Sequence, residues 1–458
     1  MGRKKLFFAS TGLAVCLTVC MAAPVAGGGP APAGRIDTLI DRELPSLITI
    51  YKTLHRAPEL SHREEKSSSL LATELRAAGF TVAERFGVYE RPDWTAYGVV
   101  AVMKNGDGPT VLVRSDMDAL PVVEKTDLPY ASTVRTRNDA GQETGVMHAC
   151  GHDIHMTTLI GAGRVLAALR DQWHGTLMLV GQPAEETVDG ARAMLAGGLY
   201  EKFGKPDYAV ALHDNADFEA GKIGWCPGYA LAGATSLDII VRGLGGHGSR
   251  PEATRDPVVV ASQIVLALQT IVSRENSPFD PAVVTVGTIH GGTKRNIIPD
   301  EVTLQLTVRA YKEEVRTRIL ASIERISRGI ALAAGIPEER APIVRVIDNE
   351  VTPATWNDPD LTERLARSLA AALGPENVVK RDPVMGSEDF GRFALEGHPI
   401  PTTMLWLGAV DPAKIESSRR TGAPLPSLHS SLFAPLPEPT IRTGVKGMTT
   451  AVLELMRR

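Results

Sequence analysis

The stretch "GTLMLVGQPAEE", Gly175 to Glu186, is an apolar run that suits a β-strand and empties into a loop ending in two adjacent carboxylates. Upstream, "YGVVAVMK" and "PTVLVRSDMDA" have the same strand character, and downstream "YAVALHD" repeats it. Helical patterns stand around them. "RIDTLIDRELPSLITIYKTLHRAPEL" reads as a helix that stops near Pro58, "SHREEKSSSLLATELRAAGF" as one closed by Gly79, and His152 to Leu169 as a third. Strands alternating with helices predict an α/β fold with a mostly parallel central sheet. In such sheets functional residues collect beyond the carboxyl ends of the strands. Asp116, Asp118, Glu185, Glu186 and His213 all follow apolar strand runs, so they are expected at one edge.

The rhythm changes near Gly228. "TSLDIIVRG" alternates like a half-exposed strand, "DPVVVASQIVLALQTIVSR" is helical, and "AVVTVGTIHGG" and "EVTLQLTVRAY" are strands. "KEEVRTRILASIERISRGIALAAG" is an amphipathic helix with apolar residues three and four apart. This β-α-β-β-α order predicts a small ferredoxin-like α+β domain, residues 228–340, inserted into a larger catalytic domain of residues 35–227 and 341–458.

A length of 458 residues fits such a division, and no repeat of solenoid or propeller type is visible. The net charge of −4 gives no electrostatic case for nucleic-acid binding. At the N-terminus, "MGRKK" precedes the apolar run "LFFASTGLAVCLTVCMAA" and the helix-breaking "PVAGGGPAPAG". Residues 1–26 read as a secretory signal peptide, with an uncleaved membrane anchor as the alternative. No second apolar segment reads as long enough to span a bilayer. The mature protein is therefore expected to be exported and soluble, periplasmic or extracellular, without stable membrane insertion. Outside the leader only Cys150 and Cys226 remain, and an exported chain could join them in a disulfide.

The neighbours of Cys150 argue for a metal instead. In "MHACGHDIHM", Cys150 and His152 stand two residues apart at the mouth of a helix, where the macrodipole favours a thiolate. Thiolate and imidazole suit zinc and similar divalent ions, although cap or core histidines and an inert buried cysteine would look the same. Glu185 and Glu186 are either a solvated acidic pair or a pair with divided labour, one on a metal and one free to take a proton from water. His213 ends an apolar strand, and His429 lies in "PSLHSSLF" among proline-rich loops. Cys150, His152, Glu186, His213 and His429 make five ligands, enough for two metals with open positions. His148 and His155 read as supports, and His55, His62, His174, His290 and His398 as surface or core histidines.

The chain resembles the aminoacylase/carboxypeptidase G-like superfamily of zinc-dependent metallopeptidases, in its branch of N-acyl-amino-acid amidohydrolases of the hippurate hydrolase and auxin-conjugate hydrolase type. The resemblance runs from about Leu39 to the end, through "LHRAPELS", "RSDMDALPV", "MHACGHDIHM", "QPAEE", "GGHGSRPE", "GGTKRNIIPDEV", "MGSEDF" and "LHSS" in that order. It implies that Cys150 lies between two metals, that His152, Glu186, His213 and His429 are the other ligands, and that Glu185 is the catalytic base. It further implies that Asp118 orients a ligand from behind, that His247 on an inserted lid holds the substrate carbonyl oxygen, sometimes across a dimer, and that Asn296 binds substrate. Glu388 borders the site by the same likeness. Arg309 is a carboxylate clamp by its chemistry, or a surface strand arginine.

Three departures stand out. Ser430 follows His429 where relatives often carry asparagine, Lys294 and Arg295 precede Asn296 where small or apolar residues are usual, and no proline closely follows His213. None removes a ligand, and the basic pair bears on which acyl group or side chain is accepted. The function implied is hydrolysis of the amide of an N-acyl amino acid or a small peptide-like conjugate, with two divalent ions per subunit, zinc or manganese, with cobalt or nickel as alternatives. A dipeptidase or carboxypeptidase of the same superfamily is the alternative, and a non-catalytic metal-binding protein of this fold a further one. A homodimer or higher homo-oligomer formed through the lid domain is expected, with hinges near Gly228 and Pro342.

Overall fold

The computed structural model describes residues 1–2, 33–138 and 141–457. The expected leader, residues 1–26, and with it Cys16 and Cys20, lies outside them apart from its first two residues.

Eight strands form the central sheet in the order Thr81–Phe86, Gly98–Asn105, Gly175–Gln182, Thr110–Asp116, Tyr208–Glu219, Thr402–Val410, Ile223–Trp225 and Val378–Lys380. The middle is parallel. Thr110–Asp116 pairs in parallel with Gly175–Gln182 and with Tyr208–Glu219, which pairs in parallel with Thr402–Val410. Antiparallel pairings enter towards both edges.

The apolar runs are explained by burial on both faces, because successive side chains of a strand point to opposite sides. On one side Val111, Val113, Leu177, Leu179, Val210, Leu212, Leu405 and Leu407 join the largest core with the helices Ala33–Arg56, His152–Ala168 and Pro437–Leu455. On the other side Leu112, Met178, Val180, Ala209, Ala211, Met404 and Trp406 pack with the short helices Gly190–Ala196 and Leu199–Phe203.

A second sheet has its own core. Its order is Ala282–Gly291, Glu301–Ala310, Gly233–Arg242 and Ile343–Thr352, antiparallel throughout, with the helices Pro257–Thr270 and Glu313–Ala333 on one face. The chain order is β-α-β-β-α-β, the ferredoxin-like arrangement. A boundary at 340 therefore cuts off the fourth strand. "IVRVIDNEVT" is largely exposed on its open face and lacks the apolar run that marks the central strands.

One expectation is corrected here. The helix Pro257–Thr270 and the π-helical turn Ile271–Glu275 that follows it are together long and apolar enough to cross a membrane, with only 33% of the segment buried. Val260, Ala261, Ile264, Leu268 and Ile271 face the second core, whereas Val258, Val259, Leu266 and Val272 are exposed.

Candidate metal centre

The loops at the carboxyl ends of the parallel strands meet above the middle of the sheet. Asp116 is the last residue of its strand and Asp118 lies just beyond, while Glu185 and Glu186 follow the strand Gly175–Gln182. His213 differs from expectation. It sits inside its strand, which continues through the polar "DNADFE" to Glu219, paired with Thr402–Val410. His429 comes from the segment between that last strand and the C-terminal helix, at φ 65°. Cys150 and His152 are separated by Gly151, whose φ of 73° suits glycine and where a Cβ would stand 2.0 Å from an oxygen of Asp214. No larger residue lets the chain turn here and place the thiol and the imidazole together.

The five expected ligands converge. Cys150 Sγ lies 3.5 Å from His213 Nε2 and 3.3 Å from His429 Nε2. Glu186 Oε1 lies 3.6 Å from His429 Nε2 and 3.9 Å from His152 Nε2. Two ligands on one tetrahedral ion, with bonds of roughly 2.0–2.3 Å, stand about 3.3–3.8 Å apart. Two overlapping groups result, Cys150–His152–His213 and Cys150–Glu186–His429, and Cys150 belongs to both. Glu185 Oε2 stands 3.8 Å from His152 Nε2, beside the ligands. Cys150 and Cys226 are both free and buried, so the disulfide is not formed.

Surrounding groups aim the imidazoles. Asp118 Oδ1 is 3.3 Å from His152 Nδ1, and its Oδ2 accepts from the backbone N–H of Glu186 at 3.0 Å and from Ser61 at 2.6 Å. His213 Nδ1 donates to the carbonyl of Asp214 at 2.7 Å, which leaves Nε2 free as a ligand. His155 accepts the backbone N–H of Asp214 on Nε2 and turns Nδ1 to Asp116 at 2.6 Å. It is a support, as its place beside the ligand pair suggests.

The residues fit divalent cations. His152 Nε2 and Glu186 Oε1, which face each other across the ligand cluster, are buried without a hydrogen-bond partner among the described residues, a costly state that cations would relieve. Burial, together with Glu388 and Glu186, pushes the Glu185 carboxyl well up. Burial also brings Glu186 to about 8, against the opposing pull of His152. The Cys150 thiol is likewise pushed up, by burial and by Glu186 and Glu185. Burial thus works against a thiolate at this helix terminus, and a bound cation would favour it.

Beneath the centre, the buried Arg114 bonds Asp116 at 2.7 Å, Glu388 at 2.8 Å, Asp389 at 3.2 Å and Gln182 at 2.9 Å. Glu388 thus anchors this layer. The sequence reading passed over Arg114 and Asp389, although an arginine inside an apolar strand run was a usable signal. His55 is a core histidine with two buried acidic partners, Asp153 at 2.7 Å and Glu124 at 3.0 Å.

His247 and Asn296 are brought together but not to the centre. His247 pairs with Ile297 in a short two-stranded antiparallel ladder of the second unit, Gly248 donates its N–H to the Asn296 carbonyl at 2.9 Å, and both side chains are exposed. Among the described residues, neither makes a hydrogen bond or ion pair with the five ligands or Glu185. Arg309, half-buried on the second sheet, donates to the Met385 carbonyl at 3.3 Å and to Ser387 at 3.1 Å, and pairs with no carboxylate among the described residues. It is not a free surface arginine.

A family model described as Peptidase family M20/M25/M40 matches residues 112–419. The chain is 38% identical over 342 residues to a hippurate hydrolase of Campylobacter jejuni, covering 74% of this chain and 82% of that protein. It is 36% identical over 365 residues to thermostable carboxypeptidase 1 of Saccharolobus solfataricus, covering 79% and 85%. Among solved structures, the YXEP protein of Bacillus subtilis, described as a dinuclear metal-binding peptidase of the M20 family, superposes with a TM-score of 0.70 at 27% identity, over 91% of this chain and 99% of that one.

Proposed function

The chain belongs to peptidase family M20/M25/M40, and on that premise we propose that it is a two-metal amidohydrolase that cleaves the amide of N-acyl amino acids. The observation that carries the reading is the pair of ligand groups sharing Cys150, with the Glu185 carboxyl beside them. Cys150, His152, Glu186, His213 and His429 would hold two divalent ions, zinc or manganese, with Asp118 orienting His152. Ions held there would supply Lewis acidity, which polarises an amide carbonyl and lowers the pKa of water.

The chain's own groups do the rest. Glu185 takes a proton from the attacking water as the water oxygen bonds to the carbonyl carbon. His247, on the second unit, closes over the centre as part of a lid and donates to the oxyanion. Glu185 then returns the proton to the amine nitrogen as the C–N bond breaks, releasing a carboxylic acid and a free amino acid. Arg309, facing the Met385–Ser387 segment with no carboxylate partner among the described residues, receives the substrate carboxylate, and Asn296 binds substrate next to His247. The protein is exported on the leader of residues 1–26.

A second copy completes the assembly. The strand Ala282–Gly291 is an open edge of the second sheet, flanked by the exposed apolar side of the helix Pro257–Thr270. An antiparallel edge pairs with its own copy across a two-fold axis, which satisfies its backbone groups and covers that apolar side. The likeness to a carboxypeptidase favours a second reading, cleavage of a C-terminal residue from short peptides, which needs the same centre and the same carboxylate clamp.

Glu185→Gln tests the function. With two ions still bound, turnover of N-acetyl and N-benzoyl amino acids should fall by roughly 100-fold or more. Wild-type turnover in that variant would remove Glu185 from the reaction. A wild-type protein that hydrolyses short peptides but no N-acyl amino acid would establish the second reading.

A further inference from the structure

One buried carboxylate lies outside every role given so far. Glu64 precedes the helix Glu65–Ala77 and is fully buried. Its Oε1 accepts two backbone N–H groups, from Ala184 at 2.8 Å and from His62 at 3.0 Å. Both donors are non-glycine residues in the left-handed region, at φ 51° and φ 66°. Side chains disfavour that region, and such residues persist only where their surroundings fix them.

Ala184 immediately precedes Glu185. Its carbonyl accepts the N–H of Gly190 at 3.1 Å, and Val188, a third left-handed residue at φ 55°, donates to the Glu185 carbonyl at 2.7 Å. A Cβ on Gly190 would stand 1.6 Å from the Pro183 carbonyl oxygen, so the loop folds back tightly on its own start. Three carboxylates from distant segments pin this loop by its N–H groups: Glu64 at Ala184, Asp118 at Glu186 and Asp389 at Ala191. Asp118 also faces His152, and Asp389 also meets Arg114. Among the described residues the Glu64 carboxyl bonds only the two left-handed amides of other residues, and its Oε2 has no hydrogen-bond partner.

We propose that Glu64 is a positioning residue that fixes the peptide of Ala184, and through it the direction of the Glu185 carboxyl. The inference rests on Glu185 being the proton acceptor. What matters is an accepting oxygen at this point rather than a charge. Burial and the nearby Asp118 push the Glu64 carboxyl well up, in keeping with that distinction.

The test compares Glu64→Gln, which keeps the oxygen, with Glu64→Met, which keeps the volume and removes it. The readouts are kcat, KM and bound metal with an N-acyl amino acid, and Glu185→Gln is measured alongside. Glu64→Met should lose roughly 10- to 100-fold in kcat, with KM within about twofold and two ions still bound, as for a displaced catalytic group. Glu64→Gln should stay within about threefold of wild type. Wild-type kcat in Glu64→Met overturns the proposal, and so does an equal loss in both variants. Should Glu64→Met not fold, Glu64→Gln decides alone, since a tenfold loss at normal metal content and melting temperature overturns the proposal and retention supports it. An active Glu185→Gln would instead strike the reading of the base, which keeps the two failures apart.

Discussion

Cys150 and His429 are 279 residues apart in sequence, yet the Sγ of one lies 3.3 Å from the Nε2 of the other. A buried thiol whose proton is hard to lose gains little from a bare imidazole, and much from an ion that both can bind. Because Cys150 belongs to both ligand groups, its loss should weaken both sites. Cys150→Ser should hold less than one ion per chain by elemental analysis and lose roughly 100-fold or more in amide hydrolysis, since even an outer partner costs 10- to 100-fold. Two ions and full turnover in this variant would place the sulfur outside the centre.

Asp118 acts one step back. Its Oδ1 faces His152 Nδ1 at 3.3 Å, and a carboxylate there favours the proton on Nδ1, which leaves the Nε2 lone pair for a metal. In Asp118→Asn the acceptor can still serve Ser61 and the Glu186 amide, and the NH2 group then turns to His152. The ring is driven to carry its proton on Nε2. Metal affinity should fall 10- to 100-fold in a competition titration against a chelator, with a melting temperature near wild type. Unchanged affinity would show that the tautomer is set elsewhere.

The sequence made the site legible where chemistry and strand pattern coincide. Glu185 and Glu186 follow closely on the apolar run Leu177–Val180, and Cys150 and His152 stand two residues apart. His213 looked like a strand end because the strand's continuation is polar, but parallel pairing with Thr402–Val410 carries it on to Glu219. The partners of His55 lie 98 and 69 residues away, a distance no local spacing encodes. The helix Pro257–Thr270 is apolar on its exposed side as well as its buried one, and a core helix and a spanning one share that pattern. The strand Ile343–Thr352 owes its place to register with Gly233–Arg242 rather than to its own composition.

His55 gives the protein a pH-dependent element of stability away from the ligands. Burial alone would lower its pKa, but the hydrogen bonds to Asp153 and Glu124 outweigh burial and bring it to about 9. A group whose folded pKa is raised contributes fully below its unfolded value of about 6.5, and the contribution is lost as pH rises through about 9. The ceiling is about 3 kcal/mol, from 1.36 kcal/mol per unit over some 2.5 units. The melting temperature of wild type should exceed that of His55→Gln most at pH 6, and the gap should shrink by pH 9.5. A gap that stays constant or grows with pH would mean that His55 is neutral in the fold.

The open edge of the second sheet makes the last prediction. Leu266 is 73% exposed and Val259 53% on the helix Pro257–Thr270, and Ile289 is 54% exposed on the edge strand Ala282–Gly291. Apolar side chains beside unpaired strand groups form a surface that a lone chain in water does not keep bare without cost. In the proposed two-fold assembly a second copy would cover it by pairing the two edge strands. Light scattering on a sizing column should give wild type twice the mass of the chain. Leu266→Glu combined with Val259→Glu places two like charges on each side of the two-fold axis, which should yield a monomer whose central sheet and bound metal are unchanged. A monomeric wild type at micromolar concentration would leave the apolar side of the helix without its proposed partner.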